Sequence, residues 1–466
     1  MKTIFLNGRY LFLIFAFLPS YLFGGMAYAQ DCSITKIIEQ SEKDYNTSHI
    51  QKMVEKEWGR IVYYETLVLS GEKKKVTDYS MKKFPLRILN PETCETKDII
   101  LIKRGLEYEI EDKSYAANIQ PFINGQIWNA FNTNINITEK KSGIEWIVIR
   151  NKYPTFKSIW DFFGKTNYVN YTPFSENLYN SSFKDELVLE GKNHLLGKID
   201  EAFADLKEKN VLSRAVPDKL IVDVISKKML RALPLTEQID PDDFKENNDK
   251  NIERVFIILG ANKDRAYTAS TSSTGAKGLT QVMPQTWKNL LRKYPAAKLP
   301  AFSEGTRLHK ESIKAAILYF DNSLYELYKD IPKETIEKEM HLILAAAYNG
   351  GEFRVKWAIQ EFGDNWEKNN RAQIENAKNR KNELWKEISH TQKNKKLSAK
   401  KKKVKINKLQ KKFEIAKKKY DQMKKAQIRP ETLSFLYKFE RIWKNNIVFD
   451  KSQNTQDSKK QTPPAK

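Results

Sequence analysis

"GAKGLTQVMPQTW", Gly275–Trp287, sets two glycines three residues apart, a polar Thr280-Gln281 pair inside an apolar patch, and Pro284 shortly after. Glycines permit a sharply turned backbone and a close approach by another group. Pro284 and Thr286 then favour a helix that starts directly after the turn. Leu279 is the expected anchor, and Gln281 offers both a donor and an acceptor to a ligand. A glycine turn that merely caps a helix would use the same residues, so the neighbours decide.

Those neighbours read as helices. Pro217 suits a first helical turn, with Leu220, Val224, Met229 and Leu230 along one apolar stripe. "NIERVFIILG" (Asn251–Gly260) reads as a short apolar helix closed by glycine. Glu311–Tyr328 and Met340–Ile359 are strong helical segments. The second contains "AAAYNGG" (Ala345–Gly351), where small alanines allow close packing around Tyr348 and Asn349. Residues 366–427 read as an insertion. Its Ile406, Leu409, Phe413, Ala416, Tyr420 and Met423 make a heptad-like seam flanked by lysines, against which Ala372–Ile388 would fold back. A solvated hairpin is the plain reading; an arm for anionic envelope polymers or a membrane surface is the functional one.

Upstream the texture is mixed. "DIILIK" (Asp98–Lys103) and "IEWIVIR" (Ile144–Arg150) are strand-like, and Lys198–Asn210 has helical spacing of Ile199, Ala202, Phe203 and Leu206. The aromatics of "FFGKTNYVNYTPF" suit core and loop positions or a carbohydrate-contacting surface.

Lys2 and Arg9, the apolar Leu11–Leu18 and Ala27-Tyr28-Ala29 read as a signal peptide over residues 1–29, cut near Gln30, which implies a periplasmic or otherwise exported protein. Of 466 residues, 81 are Lys or Arg and 58 Asp or Glu, a net charge of +23 that favours polyanionic partners. Export argues against nucleic acid among them. Cys32 and Cys94 are either bridged or free. No His/Cys cluster has metal-ligand spacing, so no metal site is expected. The polar tail, residues 446–466, reads as disordered.

The Gly275–Trp287 segment resembles the Gly-Leu-Met-Gln motif of lytic transglycosylases, and "AAAYNGG" the Ala-Tyr-Asn-x-Gly motif of the same family. "ESIKAAILYF" stands where the family has its intervening helix, and "PETLSFLYKF" (Pro430–Phe439) resembles the closing Glu-Thr-x-x-Tyr segment. The implied architecture is α+β: a mixed N-terminal domain (30–215), then a mostly α-helical lysozyme-like transglycosylase domain (216–445) with the inserted lysine-rich helical hairpin (366–427). The implied substrate-binding residues are Gly278, Leu279, Thr280, Gln281, Tyr348, Asn349 and Tyr437, with Tyr348 also bonded to the catalytic carboxyl.

The chain departs from the family at the acid. No glutamate stands just before the glycine turn; the local carboxyl is Asp264, shorter and next to Arg265. "LRALPLTEQIDPDDF" resembles the family's Leu-Pro-Leu-x-Glu-Ser helix end and puts Glu237 at the catalytic position, with Gln238 in place of Ser. Glu253 is a third candidate. Thr280 stands where Met is common, and Phe435 where Tyr is common, leaving Tyr437 as a substitute. The resemblance implies cofactor-free cleavage of peptidoglycan glycan strands between N-acetylmuramic acid and N-acetylglucosamine, with 1,6-anhydro ends. The alternative is an inactive peptidoglycan-binding scaffold.

Overall fold

The computed structural model describes residues 32–45, 61–66, 73–78, 83–104, 107–120, 122–123, 126–127, 134–155, 167–268, 270–368 and 370–445. The expected signal peptide and tail lie outside the described residues. The chain divides into two compact units, Met1–Glu186 and Leu187–Lys466.

The first unit is built on an antiparallel sheet. Alternating residues supply its core, as period-two strands require. In chain order β1 (Lys83–Leu89) contributes Leu86 and Ile88, β2 (Thr96–Arg104) Ile99 and Leu101, β3 (Glu107–Ile110) Ile110, and β4 (Tyr115–Gln120) Tyr115 and Ile119. β5 (Asn134–Glu139) adds Ile135 and Ile137, and β6 (Glu145–Thr155) Trp146 and Val148. The spatial order is β3-β2-β1-β6-β5-β4, and β7 (Asn167–Tyr171) pairs with β6. The Tyr108 hydroxyl accepts the Ile119 N–H at 3.1 Å, drawing β3 towards β4 and curling the sheet towards a barrel. A register shift between Val148 and Arg150 turns buried Arg150 under α1 (Ile34–Tyr45), where it donates to the Ile38 carbonyl at 2.9 Å. Cys32 and Cys94 form a disulfide with Cα atoms 6.1 Å apart, which pins the start of α1.

The second unit is helical. It begins in α2 (Lys184–Glu208), so residues 187–215 go with the helices rather than with the mixed domain to which the sequence reading gave them. The reason is packing. Gly191 of α2 and Gly260 of α5 lie at a helix crossing, where a Cβ on Gly191 would stand 1.9 Å from the Phe256 carbonyl oxygen and one on Gly260 2.1 Å from that of Leu187. Gly260 is thus interior to α5 (Asn248–Asn262), not the cap the sequence suggested. Pro217 does not start a helix either. The chain there makes a turn with Asp218 at φ 69°, a helical turn at Ile221–Val224, and then α3 (Lys227–Gln238), capped by Ser226.

After α3 come α4 (Pro241–Glu246), α5, the turn 263–265, and α6 (Pro284–Lys293), in which Pro284 occupies the first position. α7 (His309–Tyr328) is largely buried, and its Lys314 pairs with Asp205 of α2 at 2.7 Å. Met340–Ile359 is two helices, α8 (Met340–Gly350) and α9 (Glu352–Phe362), separated by Gly351 at φ 87°. α10 (Arg371–Lys393) and α11 (Ala399–Ala426) form the hairpin, closed by Leu384, Ile388 and Leu409 with Phe413 and Ala416 beside them. All six seam residues of α11 are buried or half-buried. α12 (Pro430–Lys444) then packs against α3 and α8. Among the described residues no helix is long and apolar enough to cross a membrane.

Candidate active site

Residues 270–283 fold into a tight double turn. Lys277 N–H bonds to the Val282 carbonyl at 3.2 Å and Gly278 N–H to that of Ser270 at 3.1 Å. Gly275, Gly278 and Gln281 all take positive φ (90°, 77° and 49°). At Gly278 a Cβ would lie 2.3 Å from the Thr306 carbonyl oxygen, so both the backbone angle and the space demand glycine.

The side chains of Leu279 and Thr280 point inward. Leu279 is buried, and Thr280 Oγ1 bonds to the hydroxyl and carbonyl of Ser312 on α7, at 2.8 and 3.0 Å. Whatever these two residues offer a ligand is therefore backbone. Gln281 Nε2 is occupied by the Gly278 carbonyl at 2.7 Å and Ser270 Oγ at 3.2 Å. Its carboxamide oxygen has no donor among the described residues, so the acceptor is the half left for a ligand.

Glu237 stands in the last turn of α3, beside this turn. Gln238, its neighbour, donates Nε2 to the carbonyls of Gly278 (3.1 Å) and Leu279 (2.9 Å). The glutamine that replaces serine is thus the tie between the helix end and the glycine turn. Glu237 keeps a partly exposed edge, yet protein surrounds its carboxyl on most sides. It has no hydrogen-bond partner among the described residues. Burial pushes its pKa up to about 8, against the opposing pull of the Lys438 ammonium.

Lys438, on α12, is buried and donates to the carbonyls of Thr236, at 2.7 Å, and Ile239. These are the unpaired carbonyls at the end of α3. Burial pushes its ammonium down to about 8, while Glu237 holds it up. Burial, and after it the charge of Glu237, raises the Tyr348 phenol on α8 well above the ordinary value. Its hydroxyl donates to the Thr280 carbonyl at 2.6 Å, not to the carboxyl that the resemblance implied. Glu237, the Gly278 turn and Tyr348 therefore meet at one corner.

Asn349 is exposed, and its Oδ1 accepts from Thr432 at 2.8 Å. Tyr437 is half-exposed on α12 and lies edge-on to Phe244, with ring centres 6.3 Å apart, while Phe435 is buried against Phe439. Glu253 lies partly exposed in the second turn of α5. Asp264 pairs with Lys198 at 3.2 Å, rather than with Arg265, and faces His194 and His309. Spacing along the chain gave no metal signature; these three residues, far apart in sequence, converge only in the fold.

Lys438 and Gln238 were missed as functional groups. Lys438 is a cation set between Phe435-Leu436-Tyr437 and Phe439 in "LSFLYKFERI", and a charge with apolar residues on both sides is the signal that marks a buried one. Gln238 carried no such signal, because its partners lie forty residues away.

Residues 265–371 match the family model of the transglycosylase SLT domain. The matched segment contains the Gly278 turn and Tyr348-Asn349, and it ends before α12. No curated protein and no solved structure matches the chain. By this matched segment, the helical unit carries a lytic transglycosylase-type SLT domain.

Proposed function

We propose that this protein is an exported peptidoglycan lytic transglycosylase that cuts between N-acetylmuramic acid and N-acetylglucosamine and leaves 1,6-anhydro ends. The observation that carries the reading is the Glu237 carboxyl: unpartnered, held up to about 8 by burial, and beside both Tyr348 and the Gly278 turn. A carboxyl so placed is protonated at neutral pH and is ready to act as an acid.

Glu237 donates its proton to the bridging oxygen, and the bond from that oxygen to C1 of the muramic sugar breaks. The resulting carboxylate takes the proton of the same sugar's C6 hydroxyl, and O6 bonds to C1. The acid is restored and no water is consumed. Lys438 and the buried surroundings bias the two protonation states in opposite directions, so the carboxyl can alternate between them. Gln238 and the Tyr348 hydroxyl fix the glycine turn that would hold the sugar.

The test is digestion of purified peptidoglycan with product masses read for each cut. Anhydro ends are expected from the wild type. Products that are all reducing and hydrated would refute the mechanism, and intact binding with no turnover would favour the inactive scaffold. Delivery to the periplasm is tested by fractionation and by sequencing the mature N-terminus, expected near Gln30.

A further inference from the structure

His194 of α2, Asp264 of the turn after α5 and His309 at the start of α7 bring three metal-ligating atoms within 4.8 Å of one another. His194 Nε2–H donates to His309 Nδ1 at 2.9 Å, a bond that an ion would replace as His194 moves its proton to Nδ1, and Asp264 Oδ1 lies 3.8 and 3.9 Å from those two nitrogens. The carboxylate oxygen is too far from either ring for a hydrogen bond. The three separations bracket that of two ligands on one tetrahedral ion, about 3.3 Å for bonds of about 2.0–2.1 Å. The nearest equidistant point, in the plane of the three atoms, lies about 2.1 Å from each, so small side-chain shifts would bring them onto one ion with its open position to one side.

The surroundings orient the ligands. His309 Nε2 donates to the Ala266 carbonyl at 2.7 Å, which fixes the neutral tautomer and leaves the Nδ1 lone pair facing the cluster. This is the outer bond that metal-bound histidines make. Lys198 holds Asp264 Oδ2 at 3.2 Å and turns Oδ1 towards the rings. Both histidine side chains are buried, while Asp264 is 53% exposed, which leaves an approach and a fourth position open to solvent.

We propose that His194, Asp264 and His309 form a binding site for a divalent transition-metal ion of the zinc type. Two imidazoles and one carboxylate select such an ion over calcium or magnesium, which take oxygen ligands. The ion would clamp α2, the end of α5 and the start of α7. Asp264 and Ala266 open the segment that leads to Ser270 and the glycine turn, so the clamp holds the root of that segment.

The full-length protein is stripped with a chelator, dialysed and titrated with Zn2+ alone by calorimetry, with bound metal counted by mass spectrometry. Co2+ is added in parallel for its visible ligand-field bands. The expected result is saturation at a single equivalent, Co2+ bands of a low-symmetry nitrogen–oxygen site, and a melting temperature raised by roughly 5 °C at saturation. His194→Gln and Asp264→Asn should each weaken Zn2+ binding at least about tenfold. Asp264 is exposed, so its variant keeps the test sound if the buried histidine variant fails to fold. Wild type that binds no zinc, or zinc uptake unchanged in Asp264→Asn, overturns the proposal. Neither readout depends on glycan cleavage, so either result is separate from the transglycosylase reading.

Discussion

Lys438 and the lysines of α11 carry the same side chain in opposite settings. Lys438 is buried, gives its hydrogens to two helix-end carbonyls and faces Glu237. Lys408, Lys411, Lys412, Lys417 and Lys418 flank the hairpin seam and are exposed. A desolvated charge interacts strongly with whatever is near it, whereas a solvated one is screened. The chain's large positive charge is thus mostly hairpin surface, while the cation that acts on Glu237 is one buried lysine.

Removing the carboxyl that Lys438 faces should produce the largest effect. Glu237→Gln is expected to lower turnover about a thousandfold while the fold persists, checked by release of soluble muropeptides and by circular dichroism. A near wild-type rate would move the chemistry to another residue. The same variant should become more heat-stable than wild type as pH rises. The folded carboxyl has its pKa above the unfolded 4.5, so the stability it contributes at low pH is lost as pH climbs through about 8.

Next in size is Gly278→Ala. The added methyl meets the Thr306 carbonyl at 2.3 Å on a backbone at φ 77°, and about 3 kcal/mol of stability should go. Thermal unfolding measures it; an unchanged melting temperature would mean that the turn is looser than described.

Lys438→Met comes third. Two helix-end carbonyls lose their donor, at a cost of about 2 kcal/mol. Glu237 also loses the charge that lowers its pKa. In the proposed mechanism cleavage needs the protonated acid, so wild-type activity should fall as pH rises through about 8, and this limb should move to higher pH in the variant. A pH–rate profile with an unmoved limb would break the contrast from the cleft side.

Smallest is the double change Lys408→Ala, Lys412→Ala. Both positions are exposed, and stability should shift by less than about 0.5 kcal/mol with cleavage unaltered. A shift as large as that of Lys438→Met would break the contrast from the hairpin side.

What the sequence could disclose was whatever is local. The seam of α11 is legible because a heptad pattern lies within one helix, and the glycine turn because its glycines and Pro284 are neighbours. Pro217 misled because an extended bridge between Leu212 and Leu220 outcompetes helix formation there. Gly260 misled because a glycine at a helix crossing and one at a helix end look alike in sequence. The Gln238 tie and the His194–Asp264–His309 cluster were out of reach for a third reason: their partners come from other segments, and only packing decides which ones meet.

Because α2 and α5 meet through Gly191 and Gly260, each helix backbone rests directly on the other with no side chain to cushion a slip. α5 runs straight into the turn at 263–265, from which the segment bearing Ser270 departs. A single methyl group at either crossing glycine would lever the two helices apart and carry that strain along the chain towards the Gly278 turn. Lesions that disable this protein from outside the cleft should therefore concentrate at that pivot.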